Sequence, residues 1–206
     1  MIKLLTIDRE YGSGAAEIAE KIADRLAWKL WDQLLTEEVA RHLECESLHV
    51  ERHEERSDPL HYRIFKAFLR GSYEGSQITP QMKMADAENI RRVSEQVVRK
   101  VAAQGNAVIV GRGSAYYLRD QPDCLHVFIY APFEEKVRRL QQAGKSGEEA
   151  TQLVQTVDRD RADFIRQNFG IQFPARHYFH LMVNSTMGET AAVQTVLDAL
   201  SAVEKA

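Results

Sequence analysis

The opening of the chain leaves few folds open. The apolar run Ile2-Lys3-Leu4-Leu5-Thr6-Ile7 is cut off by Asp8-Arg9-Glu10-Tyr11-Gly12-Ser13-Gly14, and the periodicity then changes. From Ala15, apolar residues recur at Ile18, Ala19, Ile22, Ala23 and Leu26, while Glu17, Glu20, Lys21, Asp24 and Arg25 face away, the spacing of an amphipathic helix. A strand that passes through a glycine loop straight into a helix sets exposed backbone N–H groups and a positive helix end at the carboxyl edge of a sheet. Gly12 and Gly14 carry no Cβ to stop the main chain curling round an anion, and Ser13 adds a hydroxyl. Taken alone, the loop suits phosphate binding and a ligand-free tight turn equally.

Further on, Trp28-Lys29-Leu30-Trp31 predicts a second short strand, and Asp32 precedes a helical stretch with Leu34, Leu35, Val39 and Leu43. Ile90, Val93, Val97 and Val101 form the stripe of a helix that stops at Gly105-Asn106. Ala107-Val108-Ile109-Val110 shows little alternation, as expected of a strand covered on both faces, and runs into Gly111-Arg112-Gly113. Leu125 to Tyr130 predicts another strand, followed by Phe133, Val137 and Leu140 at helical spacing. Leu181-Met182-Val183-Asn184 and the stretch from Glu189 to Val203 complete the pattern. Strands alternating with helices predict an α/β fold with a mainly parallel sheet and right-handed crossovers. At 206 residues one domain, 1–206, accounts for the chain. The more polar stretch at about 44–87 predicts a helical insert.

Several function classes drop out. Lys+Arg 27 against Asp+Glu 30 leaves a net charge of -3, which does not suit a nucleic-acid partner. The longest apolar runs fall far short of the roughly 20 residues that cross a bilayer, so no membrane partner is expected. With no leader-like segment after Met1, the expected address is cytoplasmic. Cys45 and Cys124 lie in unlike contexts and are expected as reduced thiols. His42, Cys45, His49 and His53 share helical spacing, but one helix cannot surround a tetrahedral ion, so they read as a polar face. His126 reads as a packed core residue of its strand. The aromatic stretch His61, Tyr62, Phe65, Phe68 suits insert packing, base stacking or a homo-oligomer contact, and these alternatives stay open.

The glycine loop is not a complete Walker A sequence. That motif needs Lys and then a hydroxyl after its last glycine, whereas Ala15, Ala16 and Glu17 follow Gly14. No loop side chain then supplies positive charge to β- and γ-phosphates, and the usual Mg²⁺ hydroxyl is missing. Glu17 serves either as a Mg²⁺ ligand or as a first-turn carboxylate that complements the helix dipole, and the second reading is favoured. The dinucleotide fingerprint also fails, because Glu17 stands where a third small residue is required.

Taken together, Thr6-Ile7-Asp8-Arg9-Glu10-Tyr11-Gly12-Ser13-Gly14, Val110-Gly111-Arg112-Gly113 and Val127-Phe128-Ile129-Tyr130-Ala131-Pro132 resemble the cytidylate kinase-like family. Asp158-Arg159-Asp160-Arg161 and Val183-Asn184-Ser185-Thr186 extend the match in the family's order over nearly the whole chain. The resemblance implies a three-layer P-loop kinase fold with a five-stranded core, the insert, and a lid at about 141–176. It implies ATP-dependent phosphoryl transfer, with Mg²⁺, to a nucleoside monophosphate, CMP or dCMP. Gly12, Ser13 and Gly14 would then cradle the donor phosphates, and Asp32 and Arg112 would meet the acceptor; beside the loop, Tyr11 either stacks on the nucleotide base or plugs the turn, and Glu17 is kept with it as a donor-side candidate. Arg112, Arg159 and Arg161 would act on the transferring group, Arg166 being a further lid candidate, because guanidinium forks bind phosphate oxygens bidentately. No residue is nominated as a dedicated metal ligand. The missing Lys leaves two rivals: a nucleotide-binding regulatory protein without phosphoryl transfer, and a kinase of a non-nucleotide metabolite.

Overall fold

The computed structural model describes residues 1–32, 34–35, 38–39, 41–42 and 87–203. The expected insert at about 44–87, with its aromatic stretch and most of the His/Cys constellation, lies outside the described residues except for Ala87. Five strands, β1 (Leu4–Arg9), β2 (Lys29–Trp31), β3 (Ala107–Val110), β4 (Cys124–Tyr130) and β5 (Leu181–Asn184), form one sheet in the order β2-β3-β1-β4-β5. Every pairing is parallel. The sequence-based expectation of a mainly parallel α/β sheet is therefore met in full.

Two apolar clusters make the sheet the middle of three layers. On one face, Leu5, Ile7, Val108, Val110, Leu125 and Val127 pack against α1 (Ala15–Leu26) and α6 (Glu189–Val203). On the other, Leu4, Ile109 and Phe128 meet α2 (Ala87–Gln104), the short α3 (Ser114–Tyr117) and α5 (Gly147–Phe169). Covering on both faces explains why β1, β3 and β4 read as apolar runs rather than alternating ones. Helix α4 (Phe133–Gln142) joins α5 through a small third cluster of Leu140, Ala150 and Val154, into which Tyr11 packs.

Two details depart from the sequence pattern. The first strand does not stop at Ile7: Asp8 pairs with Phe128 and Arg9 with Ile129, so both charged residues belong to β1 and are buried. Their tertiary partners, described below, make that burial tolerable. On α4, Phe133 is exposed, whereas Lys136 and Leu140 form the buried face.

Register decides where the loops emerge. Ile7 lies level with Val110 on one side and Val127 on the other. Trp31 pairs with Ile109, so Asp32 stands beside the end of β3. The glycine loop, the Gly111-Arg112-Gly113 turn and Asp32 thus share the carboxyl edge of the sheet, where ligands of open α/β folds bind.

Candidate functional site

The loop 10–14 holds the shape its sequence suggests. Gly12 and Gly14 have φ of +74° and +75°, and Gly14 is the N-cap of α1 with no side chain capping it. The first-turn amides of α1 are left without a side-chain acceptor, the arrangement that favours an anion at a helix start. The backbone is also crowded from behind. A Cβ on Gly12 would sit 3.1 Å from the Lys136 carbonyl oxygen, and one on Gly14 would sit 3.2 Å from Arg139 Nη1.

Helices α4 and α5 supply what the loop itself lacks in tethering. Lys136 Nζ donates to Glu10 Oε2 at 2.9 Å and to Asp158 Oδ2 at 2.8 Å, and Asp158 Oδ1 accepts the Tyr11 amide at 2.7 Å. Burial works against the Lys136 ammonium, but its hydrogen bonds to Asp158 and Glu10 raise its pKa, so it stays charged. Arg139 Nη1 donates to the Ser13 carbonyl at 2.6 Å and to Ser185 Oγ at 2.8 Å, stapling the loop to the turn after β5. Ser13 itself donates to the Glu10 carbonyl at 2.8 Å.

In front of the loop is a cavity of about 650 Å³. Tyr11, Gly12, Ser13, Gly14 and Glu17, the five expected donor-side residues, all line it, with Arg138, Arg139 and Gln142 from α4 and Thr186 and Gly188 after β5. Arg9 and Arg161 line it too. A nucleotide triphosphate fits the features of this cavity: glycines at the backbone, uncapped amides, and cations on the walls. Among the described residues, no group of three His, Cys, Asp or Glu side chains could hold a metal alone. Mg²⁺ in phosphoryl transfer is held partly by the phosphates themselves, so it needs few protein contacts, and Glu17 is a carboxylate among the cavity-lining residues that could supply one.

A second group lies just behind, at the ends of β1, β2 and β3. Arg9 Nη2 is 3.5 Å from Asp32 Oδ1, and Arg161 Nη1 donates to the Arg9 carbonyl at 3.1 Å. Arg112 occupies the turn between two glycines at φ +60°, a left-handed conformation uncommon for a long side chain. Burial lowers the Arg112 pKa to about 9, with Asp32 opposing and the Arg9 and Arg161 charges adding to the fall. Burial and the Arg9 charge likewise lower Arg161 to about 10. Both remain cations at neutral pH, so three guanidinium groups crowd one buried locus. Asp8, beneath them, has its pKa raised by burial against the pull of Arg9 and Arg161.

The expected site residues therefore divide. Asp32 and Arg112 come together at the second group, and Arg161 links it to the cavity. Arg159 is exposed, outside the cavity lining, and Arg166 is exposed and paired with Asp163 at 2.8 Å. The helical stripe Ala150, Val154, Val157, Phe164, Ile165 carries the reason: Arg161 falls on it, whereas Arg159 and Arg166 do not. That stripe is readable in the sequence and separates the three arginines. Arg9, Lys136, Arg139 and Asp158 are the parts that sequence reasoning missed.

A sequence model of the cytidylate kinase-like family matches residues 4–187. No curated protein matches the chain by sequence. Among solved structures, an uncharacterized protein from Eubacterium ventriosum aligns with TM-score 0.69 at 18% identity, covering 98% of this chain and 99% of that one. Shikimate kinase from Bacteroides thetaiotaomicron aligns with TM-score 0.53 at 15% identity over 98% and 99% of the two chains. Shikimate kinase from Acinetobacter baumannii, in complex with shikimate, gives 0.52 at 12% identity over 98% and 94%. At these identities the neighbours establish the P-loop kinase fold and nothing finer.

Proposed function

We propose, from the premise that this chain belongs to the cytidylate kinase-like family, that it transfers the γ-phosphoryl group of ATP, with Mg²⁺, to CMP or dCMP. The observation that carries the reading is the adjacency of two anion-seeking regions at one sheet edge. The cavity at the uncapped glycine loop suits the donor, and the Arg9, Arg112 and Arg161 cluster beside Asp32 suits an acceptor phosphate.

In this mechanism the amides of Gly12 to Ala16 and the α1 dipole hold the donor phosphates, while Glu17 would contact Mg²⁺, which supplies neutralisation of the phosphate charge. The acceptor is already an anionic nucleophile, so no strong base is required; Asp32 orients it through the neighbouring cations. Arg112 and Arg161 grip the acceptor and the transferring group, Arg161 reaching both regions from the lid helix α5. Catalysis is then mostly alignment and preorganised positive charge.

Turnover with ATP, Mg²⁺ and a panel of monophosphates tests the reading. CMP-dependent ADP formation that disappears in Arg161→Ala supports it. ATP binding without turnover across the panel replaces it with a nucleotide-binding regulatory role, and turnover only with a non-nucleotide acceptor replaces it with a metabolite kinase. The expected lid at about 141–176 belongs to the same proposal, with α5 as its moving part.

A further inference from the structure

The glycine loop has Ala15 where a lysine would reach the donor phosphates, and the nearby ammonium of Lys136 is held by Glu10 and Asp158 and is absent from the cavity lining. Arg9 is placed differently. It is the last residue of β1 and 4% exposed, it lines the donor cavity, and its guanidinium pairs with Asp32 on the acceptor side. Neither Arg112 nor Asp32 lines that cavity. Arg9 thus both lines the donor cavity and pairs with Asp32.

The side chain is held in place before any ligand arrives. Its Nη1 lies so close over Gly111 that a Cβ there would be 2.0 Å away, and Arg161 Nη1 is anchored on the Arg9 carbonyl. Arg9, Arg112 and Arg161 repel one another, with Asp8, Asp32 and Asp158 as the carboxylates acting on them and Asp158 shared with Lys136. A locus of three clustered cations is relieved by an anion with several equatorial oxygens, which is what a phosphoryl group in flight presents.

We propose that Arg9 is a catalytic residue that substitutes for the absent loop lysine, its guanidinium contacting the γ-phosphoryl group between donor and acceptor. In the step, an acceptor phosphate oxygen forms a bond to Pγ while the bond from Pγ to the β,γ-bridging oxygen breaks. ADP leaves with that electron pair, and the acceptor monophosphate becomes a diphosphate. Arg9 donates to equatorial oxygens throughout and neither gains nor loses a proton. This assignment rests on the phosphotransferase reading above.

The test uses Arg9→Ala in the full chain, with steady-state kinetics, ATP affinity and an unfolding midpoint. The expected result is a kcat lower by about 10²–10³, the loss typical of one preorganised donor, with ATP affinity within threefold of wild type. Added guanidinium, filling the space over Gly111, restores at least tenfold of the lost rate. A kcat within threefold of wild type, or a folded variant that guanidinium does not rescue, overturns the proposal. If Arg9→Ala fails to fold, the nearly isosteric Arg9→Gln decides by the same kcat threshold. If the wild-type protein shows no turnover with any acceptor, the phosphotransferase reading fails, and Arg9 is judged by ADP affinity with and without beryllium fluoride. A tenfold gain with the fluoride in wild type that Arg9→Ala loses supports the contact with the γ position. An equal response of the two proteins removes it.

Discussion

Asp158 on α5 accepts the backbone N–H of Tyr11 at 2.7 Å, across 147 positions of sequence. Its second oxygen holds Lys136, which also holds Glu10. One carboxylate thus connects α5, α4 and the glycine loop through charge-assisted hydrogen bonds, and Arg161, one turn further along α5, continues the contact to Arg9. The position of α5 and the shape of the loop are therefore one coupled variable.

Asp158→Ala leaves the Tyr11 amide and one side of Lys136 without an acceptor. Hydrogen bonds to charged groups contribute about 1.5–3 kcal/mol, and the 22% exposure of the carboxylate lets water recover part. The expected loss is about 1–2 kcal/mol, read as a lower urea midpoint with unchanged slope. An unchanged midpoint would show that the latch contributes nothing to stability.

Gly111→Ala acts through Arg9. The φ of +65° costs an alanine roughly 1 kcal/mol, and the new methyl takes the space of Arg9 Nη1, which must swing aside. Activity is therefore expected to fall far more than stability does, by about the 10²–10³ of a lost donor. Parallel kinetics and urea unfolding check this; a small, proportionate loss in both would mean Arg9 has no favoured position.

The architecture was legible because buried parallel strands announce themselves as apolar runs. Ala107 to Val110 and Leu181 to Asn184 stand where the pattern puts them. The loop glycines were legible because a left-handed turn at a strand's end favours residues without Cβ. Lys136 and Asp158 were not, since a Lys on a helix is by default a solvated charge, and only tertiary placement brings it to Glu10, 126 positions away. Arg9 was missed for a related reason: charged residues look like the end of a strand, yet β1 carries two of them into its buried part. Arg159 and Arg161 differ only in helical phase, and the motif Asp158-Arg159-Asp160-Arg161 hides that phase unless the flanking apolar stripe is read with it.

Stability is expected to depend on pH through His126. This side chain is 2% exposed, Thr6 Oγ1 lies 2.6 Å from its Nδ1, and its Nε2 is buried without a hydrogen-bond partner. Burial, reinforced by the adjacent His180, lowers its pKa from 6.5 to about 4. The unfolded chain then binds the proton more readily, so stability is full above pH 6.5 and declines as pH falls toward 4, by at most about 3 kcal/mol at 1.36 kcal/mol per unit. Urea midpoints between pH 7.5 and 4 should show this fall, and His126→Phe should flatten it. A wild-type midpoint constant across that window counts against a neutral buried imidazole.

Arg112 should show stability and activity moving apart. A long side chain at φ +60° carries a backbone cost of about 1–3 kcal/mol, and its charge is buried beside those of Arg9 and Arg161, with Asp32 opposing. Arg112→Gly removes the strain and one of three mutually repelling cations, so its urea midpoint is expected to equal or exceed that of wild type. Under the proposed acceptor role, Arg112→Gly also loses a charge-assisted hydrogen bond to the acceptor phosphate, which corresponds to about a 10- to 100-fold lower kcat/KM for the monophosphate. Affinity for ATP should be unchanged, because Arg112 does not line the donor cavity. A variant destabilised by about 2 kcal/mol or more would make Arg112 a structural cation, and an unaltered acceptor KM in a stable variant would remove it from the acceptor site.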